Sequence, residues 1–230
     1  MIGGGFSLQG SYHEKNQDSY WVGKVMGGYV AALSDGLGSC KYSEIGSKVL
    51  CETVRNLVDK MNCIIDDVDA FIEKVEEEWR LNIIRRLYKT EDCSATALLA
   101  IVGEDNTWIF RLGDGVIGAK CEGQTIVLYD PKESGIINIT DCLGVTSFSW
   151  EKECIRTNSL KGIFLCSDGV ADDNDETNLI DLIEGIYTEY ANRTKEEIEE
   201  DLSHWVPTLK SSDDKTVAFL FRSNPREVPS

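Results

Sequence analysis

No stretch of the 230 residues approaches the ~20 consecutive apolar residues of a membrane span, and no basic segment followed by a long apolar run opens the chain. Positive charge is scarce. The 23 Lys and Arg stand against 40 Asp and Glu, a formal net charge of -17. That balance excludes nucleic acid and anionic membrane as expected partners, since both are polyanions. Closely spaced cysteine pairs are lacking too. Cys40, Cys51, Cys63, Cys93, Cys121, Cys142, Cys154 and Cys166 are spread along the chain, several inside apolar runs where a thiol serves as a small core residue. The spread argues against a disulfide framework and for a reducing cytosol. A soluble, cytoplasmic protein is expected.

What the chain does have is apolar strands that stop at acids. Residues 29–33 form a continuous apolar run, as in a strand covered on both faces, and end in Ser34-Asp35-Gly36-Leu37-Gly38. Alone, this reads as a strand and an Asp-Gly turn. The pattern recurs at Ser167-Asp168-Gly169 and at Gly113-Asp114-Gly115. Asp213-Asp214 precedes another apolar run, and Asp18 precedes the alternating segment 20–25. Acids gathered at one edge of a sheet would form an oxygen-rich site for a hard divalent cation.

The remaining pattern supplies the scaffold. Strands are expected at 6–12, 18–25 and 29–33, the last two forming a hairpin turning at Gly27-Gly28. Apolar residues at helical spacing mark helices at 43–61 and 66–88, with Trp79 on the apolar stripe and Glu76-Glu77-Glu78 on a solvated face. Short strands follow at 96–102, 107–112, 116–121, 125–129, 136–139, 148–155 and 162–166. Helices then come at 177–190 and 194–205, the second with Thr194 and Glu197 in capping-box spacing, before a last strand at 217–222. Gly3-Gly4-Gly5 lacks the context of a phosphate loop and reads as a flexible terminus. With 42% hydrophobic residues, the order suggests two antiparallel sheets packed face to face with helices outside, a single α+β domain over 1–222 with a loose tail at 223–230.

Taken in order, Asn16-Gln17-Asp18-Ser19, Ser34-Asp35-Gly36-Leu37-Gly38-Ser39, Ser94-Ala95-Thr96-Ala97, Leu112-Gly113-Asp114, Leu165-Cys166-Ser167-Asp168-Gly169 and Asp213-Asp214-Lys215-Thr216 resemble the motifs of the metal-dependent protein phosphatases of type 2C. They span nearly the whole chain. The resemblance implies a four-layer αββα sandwich. It also implies two cations, Mn²⁺ or Mg²⁺, bridged by Asp35, with the Gly36 carbonyl, Asp168 and Asp213 as further ligands. Asp18 matches an acid that holds metal-bound water. Asp114 and Asp172 match positions that bind a third metal in many members, although Asp172 also reads as a solvated acid. Clustered Cys and His ligands are missing, so zinc is not expected. Two such cations activate a bridging water for in-line attack on phosphorus and screen its charge against the phosphate.

Three departures stand out. Where many members carry a phosphate-gripping arginine, this chain has His13, which reads as a phosphate contact or proton donor or as a plain structural histidine. Leu37 stands where eukaryotic members often have a histidine. Between Asp114 and Asp168 no segment resembles the usual flap. His204, beside Trp205, reads as structural. The expectation is a phosphoserine/phosphothreonine protein phosphatase acting on phosphorylated proteins and paired with a cognate kinase. The alternatives are a catalytically weak relative serving as a binding or regulatory module, and a phosphatase for small phosphate esters.

Overall fold

The computed structural model describes residues 1–60, 65, 67–130, 141–171 and 176–222. Two five-stranded antiparallel sheets dominate it. The first has the order β1-β10-β9-β6-β7, from Ile2–Leu8 (β1), Lys215–Phe221 (β10), Leu160–Cys166 (β9), Val116–Cys121 (β6) and Gln124–Leu128 (β7). The second has the order β2-β3-β4-β5-β8, from Asp18–Val25 (β2), Gly28–Asp35 (β3), Ala97–Val102 (β4), Asn106–Leu112 (β5) and Glu151–Arg156 (β8). Helices Ser43–Lys60 (α1) and Val68–Arg85 (α2) cover the second sheet. Glu176–Tyr190 (α4) and Lys195–Trp205 (α5) cover the first, and Asp168–Ala171 (α3) is a single turn after β9. The expected αββα sandwich is the observed architecture.

Strand alternation explains why the central strands read as unbroken apolar runs. Val30 and Ala32 pack with Val54, Phe71 and Trp79 of the helices, while Ala31 and Leu33 face Ile163, Leu165 and Leu220 of the other sheet. A third core lies between the first sheet and its helices, where Phe164, Phe219 and Phe221 meet Ile183, Ile198 and Leu202. Trp79 is 2% exposed and its indole N–H donates to the Gly46 carbonyl at 3.0 Å, a core position as expected. The capping box is present: Thr194 Oγ1 accepts the Glu197 N–H, and the Glu197 carboxylate accepts the Thr194 N–H.

Some expectations are corrected. Gly3-Gly4-Gly5 is no loose terminus but the middle of β1, paired with Leu220, Phe219 and Ala218. The glycines are there for closeness, since a Cβ on Gly5 would lie 2.3 Å from the Val217 carbonyl oxygen and 2.6 Å from the Tyr20 ring. The strand expected at 6–12 therefore starts and ends earlier. β8 begins later than expected because Phe148 and Trp150 pack against the α1–α2 core instead of extending the ladder. The strand expected at 136–139, the tail, Cys63 and Asp172 lie outside the described residues, as does part of the β7–β8 connection where a flap was not expected.

Candidate metal centre

Ladder register brings the acids together. Asp18, the first residue of β2, stands opposite Asp35, the last residue of β3. In the other sheet Cys166, closing β9, pairs with Val116 on one side and Val217 on the other. Asp114 precedes Val116, Asp168 follows Cys166 and Asp213 precedes Val217, so neighbouring strands carry acids at the same end. Carboxylate oxygens of Asp35, Asp114 and Asp168 come within 4.8 Å of one another.

The backbone holds Asp35 rigidly. Its N–H donates to Thr96 Oγ1 at 2.9 Å and its carbonyl accepts the Thr96 N–H at 2.8 Å. The next two residues are clamped from both sides, Gly36 N–H on the Gln17 carbonyl at 3.1 Å and Leu37 N–H on the Ser94 carbonyl at 3.0 Å. Asp18 is 9% exposed. Its Oδ2 accepts the Ser167 hydroxyl at 2.7 Å, while Oδ1 is buried and accepts no hydrogen bond. Ser167 is itself fixed by the final strand, through its N–H on the Thr216 carbonyl and the Thr216 N–H on its Oγ, both at 3.0 Å. Gly169 lets this turn lie against the 213–214 backbone, because a Cβ there would stand 2.0 Å from the Asp214 carbonyl oxygen.

The electrostatics are those of crowded acids. Burial raises the Asp35 carboxyl well above the ordinary range, and the charges of Asp18, Asp168 and Asp114 push it further. Burial likewise pushes Asp18 up to about 6, against the opposing pull of the Ser167 hydroxyl. A cation placed among these oxygens reverses both effects. An all-oxygen donor set with an orphaned buried carboxylate oxygen fits a hard divalent ion such as Mn²⁺ or Mg²⁺.

Asp213 and His13 form a neighbouring group. His13 Nδ1 lies 3.3 Å from Asp213 Oδ1 and 3.3 Å from Asp214 Oδ2. Of the residues singled out from sequence, Asp18, Asp35, Asp114 and Asp168 thus converge, with Gly36 in the clamped turn. Asp213 and His13 stand beside them at the 213–214 backbone, and His204 is exposed on α5. Sequence reasoning missed Thr96, Ser167 and Asp214. Ser167 and Asp214 each adjoin a singled-out acid. Both members of each pair reach the site, Ser167 and Asp168 at the acid cluster and Asp213 and Asp214 at the His13 imidazole, so adjacency to a singled-out acid was the available signal.

No curated protein matches the sequence. Among solved structures, the fold is similar to that of the serine/threonine phosphatase Stp1 from Staphylococcus aureus, 17% identical with a TM-score of 0.76 over 97% of this chain and 96% of that one. It is also similar to the catalytic domain of the serine/threonine protein phosphatase PstP in complex with 2 manganese ions, 16% identical with a TM-score of 0.71 over 96% and 98% of the two chains. PppA, a regulatory component of T6SS in Pseudomonas aeruginosa, matches at 17% identity and a TM-score of 0.69 over 94% and 95%. At such identities the likeness speaks for the fold. The sequence adds the family, because residues 10–207 match the model described as protein phosphatase 2C, and on that match the chain belongs to the protein phosphatase 2C family of metal-dependent serine/threonine phosphatases.

Proposed function

We propose that the chain is a Mn²⁺- or Mg²⁺-dependent phosphatase of phosphoserine and phosphothreonine in proteins, with residues 1–222 as one catalytic domain. The observation that carries this reading is the gathering of Asp18, Asp35, Asp114 and Asp168 from separate strand ends of two sheets. Like charges this close cost stability without a cation among them. Asp35, the Gly36 carbonyl, Asp168 and Asp213 would hold two cations, with Asp35 between them, and Asp114 and Asp172 match a third position. Bound there, the cations would supply Lewis-acid activation of water and screen the charge of the phosphate.

The chain's own groups do the positioning. Thr96 fixes the Asp35 backbone on both sides, so that carboxylate has little freedom to follow a departing ligand. The Ser167 hydroxyl holds one oxygen of Asp18 and leaves the other to accept a hydrogen bond from water in the site. His13 stands at the rim beside Asp213. A phosphorylated protein is the substrate this reading implies, with a cognate Ser/Thr kinase supplying it in the cytoplasm. No described helix is long and apolar enough to cross a membrane.

A binding module would gain nothing from acids whose repulsion destabilises it, which favours the enzyme over a regulatory relative. The test is phosphate release from a phosphothreonine peptide by the purified protein. Release that requires Mn²⁺ or Mg²⁺ and stops with EDTA is expected. Absence of release with either metal would sink the reading.

A further inference from the structure

Three polar groups of the loop before β2 meet at one side chain. Asp214 Oδ1 accepts the Gly10 N–H at 2.7 Å, and Asp214 Oδ2 accepts the Gln17 N–H at 2.7 Å. His13 Nδ1 stands 3.3 Å from the same Oδ2 in hydrogen-bonding geometry. The Asp214 side chain is 1% exposed. Three further contacts hold the loop: Gln9 Nε2 donates to the His13 carbonyl at 2.9 Å, the Tyr12 N–H donates to the Ser212 carbonyl at 3.0 Å, and the Tyr12 ring meets the imidazole at a steep angle with centroids 5.0 Å apart.

An ionised carboxylate can only accept hydrogen bonds. The imidazole nitrogen facing Asp214 must therefore carry hydrogen, and Asp213 Oδ1, also 3.3 Å from Nδ1, makes the same demand. Nε2 points elsewhere. A Cβ built on Gly38 would stand 3.3 Å from Nε2, so this nitrogen faces the loop that continues from Asp35 and Gly36, at a residue with no side chain to cover it.

We propose that Asp214 is the positioning residue of His13, holding the imidazole with hydrogen on Nδ1 and with Nε2 turned to the loop that follows the Asp35 cluster. The proposal rests on the hydrolytic reading for its consequence, because a phosphate ester bound at that cluster is what Nε2 would meet. A carboxylate behind an imidazole fixes both its orientation and which nitrogen is bare, and loss of such a partner leaves the ring in place with the wrong nitrogen protonated. The 2 histidines of the chain make this directly observable.

The test is a long-range ¹H–¹⁵N correlation spectrum of the full chain with Mg²⁺ at mildly alkaline pH, with His204→Gln identifying the His13 signals. Hydrogen on His13 Nδ1 is expected, and a bare Nδ1 overturns the proposal. Asp214→Asn removes the buried charge behind the ring while Asp213 still faces Nδ1, and it should lower kcat about 10- to 100-fold with a smaller change in KM. His13→Ala, which leaves Asp214 its two backbone donors, should lower kcat by a similar factor and decides the matter if Asp214→Asn does not fold. Wild-type kcat in either variant overturns the proposal. The spectrum needs no substrate, so a wild type with hydrogen on Nδ1 but no turnover would count against hydrolysis and not against Asp214 as the partner of His13.

Discussion

Asp18 and Asp35 are ladder partners, one opening β2 and the other closing β3, so the hairpin sets two carboxylates side by side at its open end. Replacing Asp35 by Asn keeps both backbone bonds to Thr96 and removes one charge. Hydrolysis of p-nitrophenyl phosphate with Mn²⁺ should fall by about two orders of magnitude or more, with an unchanged far-UV circular dichroism spectrum. The rise in melting temperature that Mn²⁺ gives the wild type should shrink with it, since a ligand stabilises only what it binds. A variant that keeps both turnover and the thermal shift would refute the bridging assignment.

Asp18 makes a prediction about pH. Its carboxyl titrates near 6 in the folded chain against 3.8 for the ordinary group, chiefly because of burial. A carboxyl raised by folding binds its proton more tightly when folded, so its contribution is fully present below the unfolded value and is lost as pH rises through the folded one. In EDTA, Asp18→Asn should therefore be more stable than the wild type at about pH 7.5, by at most about 3 kcal/mol. The difference should close as the pH falls toward about 4. Urea melts of both proteins across that range measure it, and a wild type that is the more stable at the alkaline end contradicts the burial argument.

The sequence made the acids legible because each sits where an apolar run breaks. It could not show that Asp18 and Asp35 are direct partners, which depends on the register of β2 against β3. Helices α1 and α2 were legible from one apolar stripe each, and the start of α5 from its capping-box spacing. The first half of β1 was not, because three glycines look like a flexible segment until the neighbours they approach are known. Asp214 was hidden for a similar reason. Adjacent acids look equivalent along the chain, and only packing shows that one is buried while accepting two backbone N–H groups.

Gly5→Ala tests the account of β1. The added methyl carbon would meet the Val217 carbonyl and the Tyr20 ring, whose hydroxyl donates to the Gly5 carbonyl at 2.9 Å. Both neighbours would have to shift, at a cost of about 1–3 kcal/mol. A fall of several degrees in melting temperature is expected from differential scanning calorimetry. An unchanged midpoint would mean that β1 is looser than its pairing with β10 implies.

Trp79→Phe separates packing from hydrogen bonding in the helical layer. Gly46 of α1 is pressed so closely against the Cys93 carbonyl that a Cβ there would stand 1.9 Å from its oxygen, and the Trp79 indole reaches across from α2 to donate to the Gly46 carbonyl. Phenylalanine replaces much of the ring but donates nothing, so the Gly46 carbonyl, which as a residue inside α1 also accepts in the helix ladder, loses its second donor, at a cost of about 0.5–1.5 kcal/mol. Loss of volume adds to this, since the site is 2% exposed and its walls relax only in part. Denaturant melts should give a lower midpoint at an unchanged slope, the mark of a native state weakened but not loosened. A midpoint within error of the wild type would show that the indole contact between α1 and α2 contributes nothing, and that apolar area alone joins the two helices.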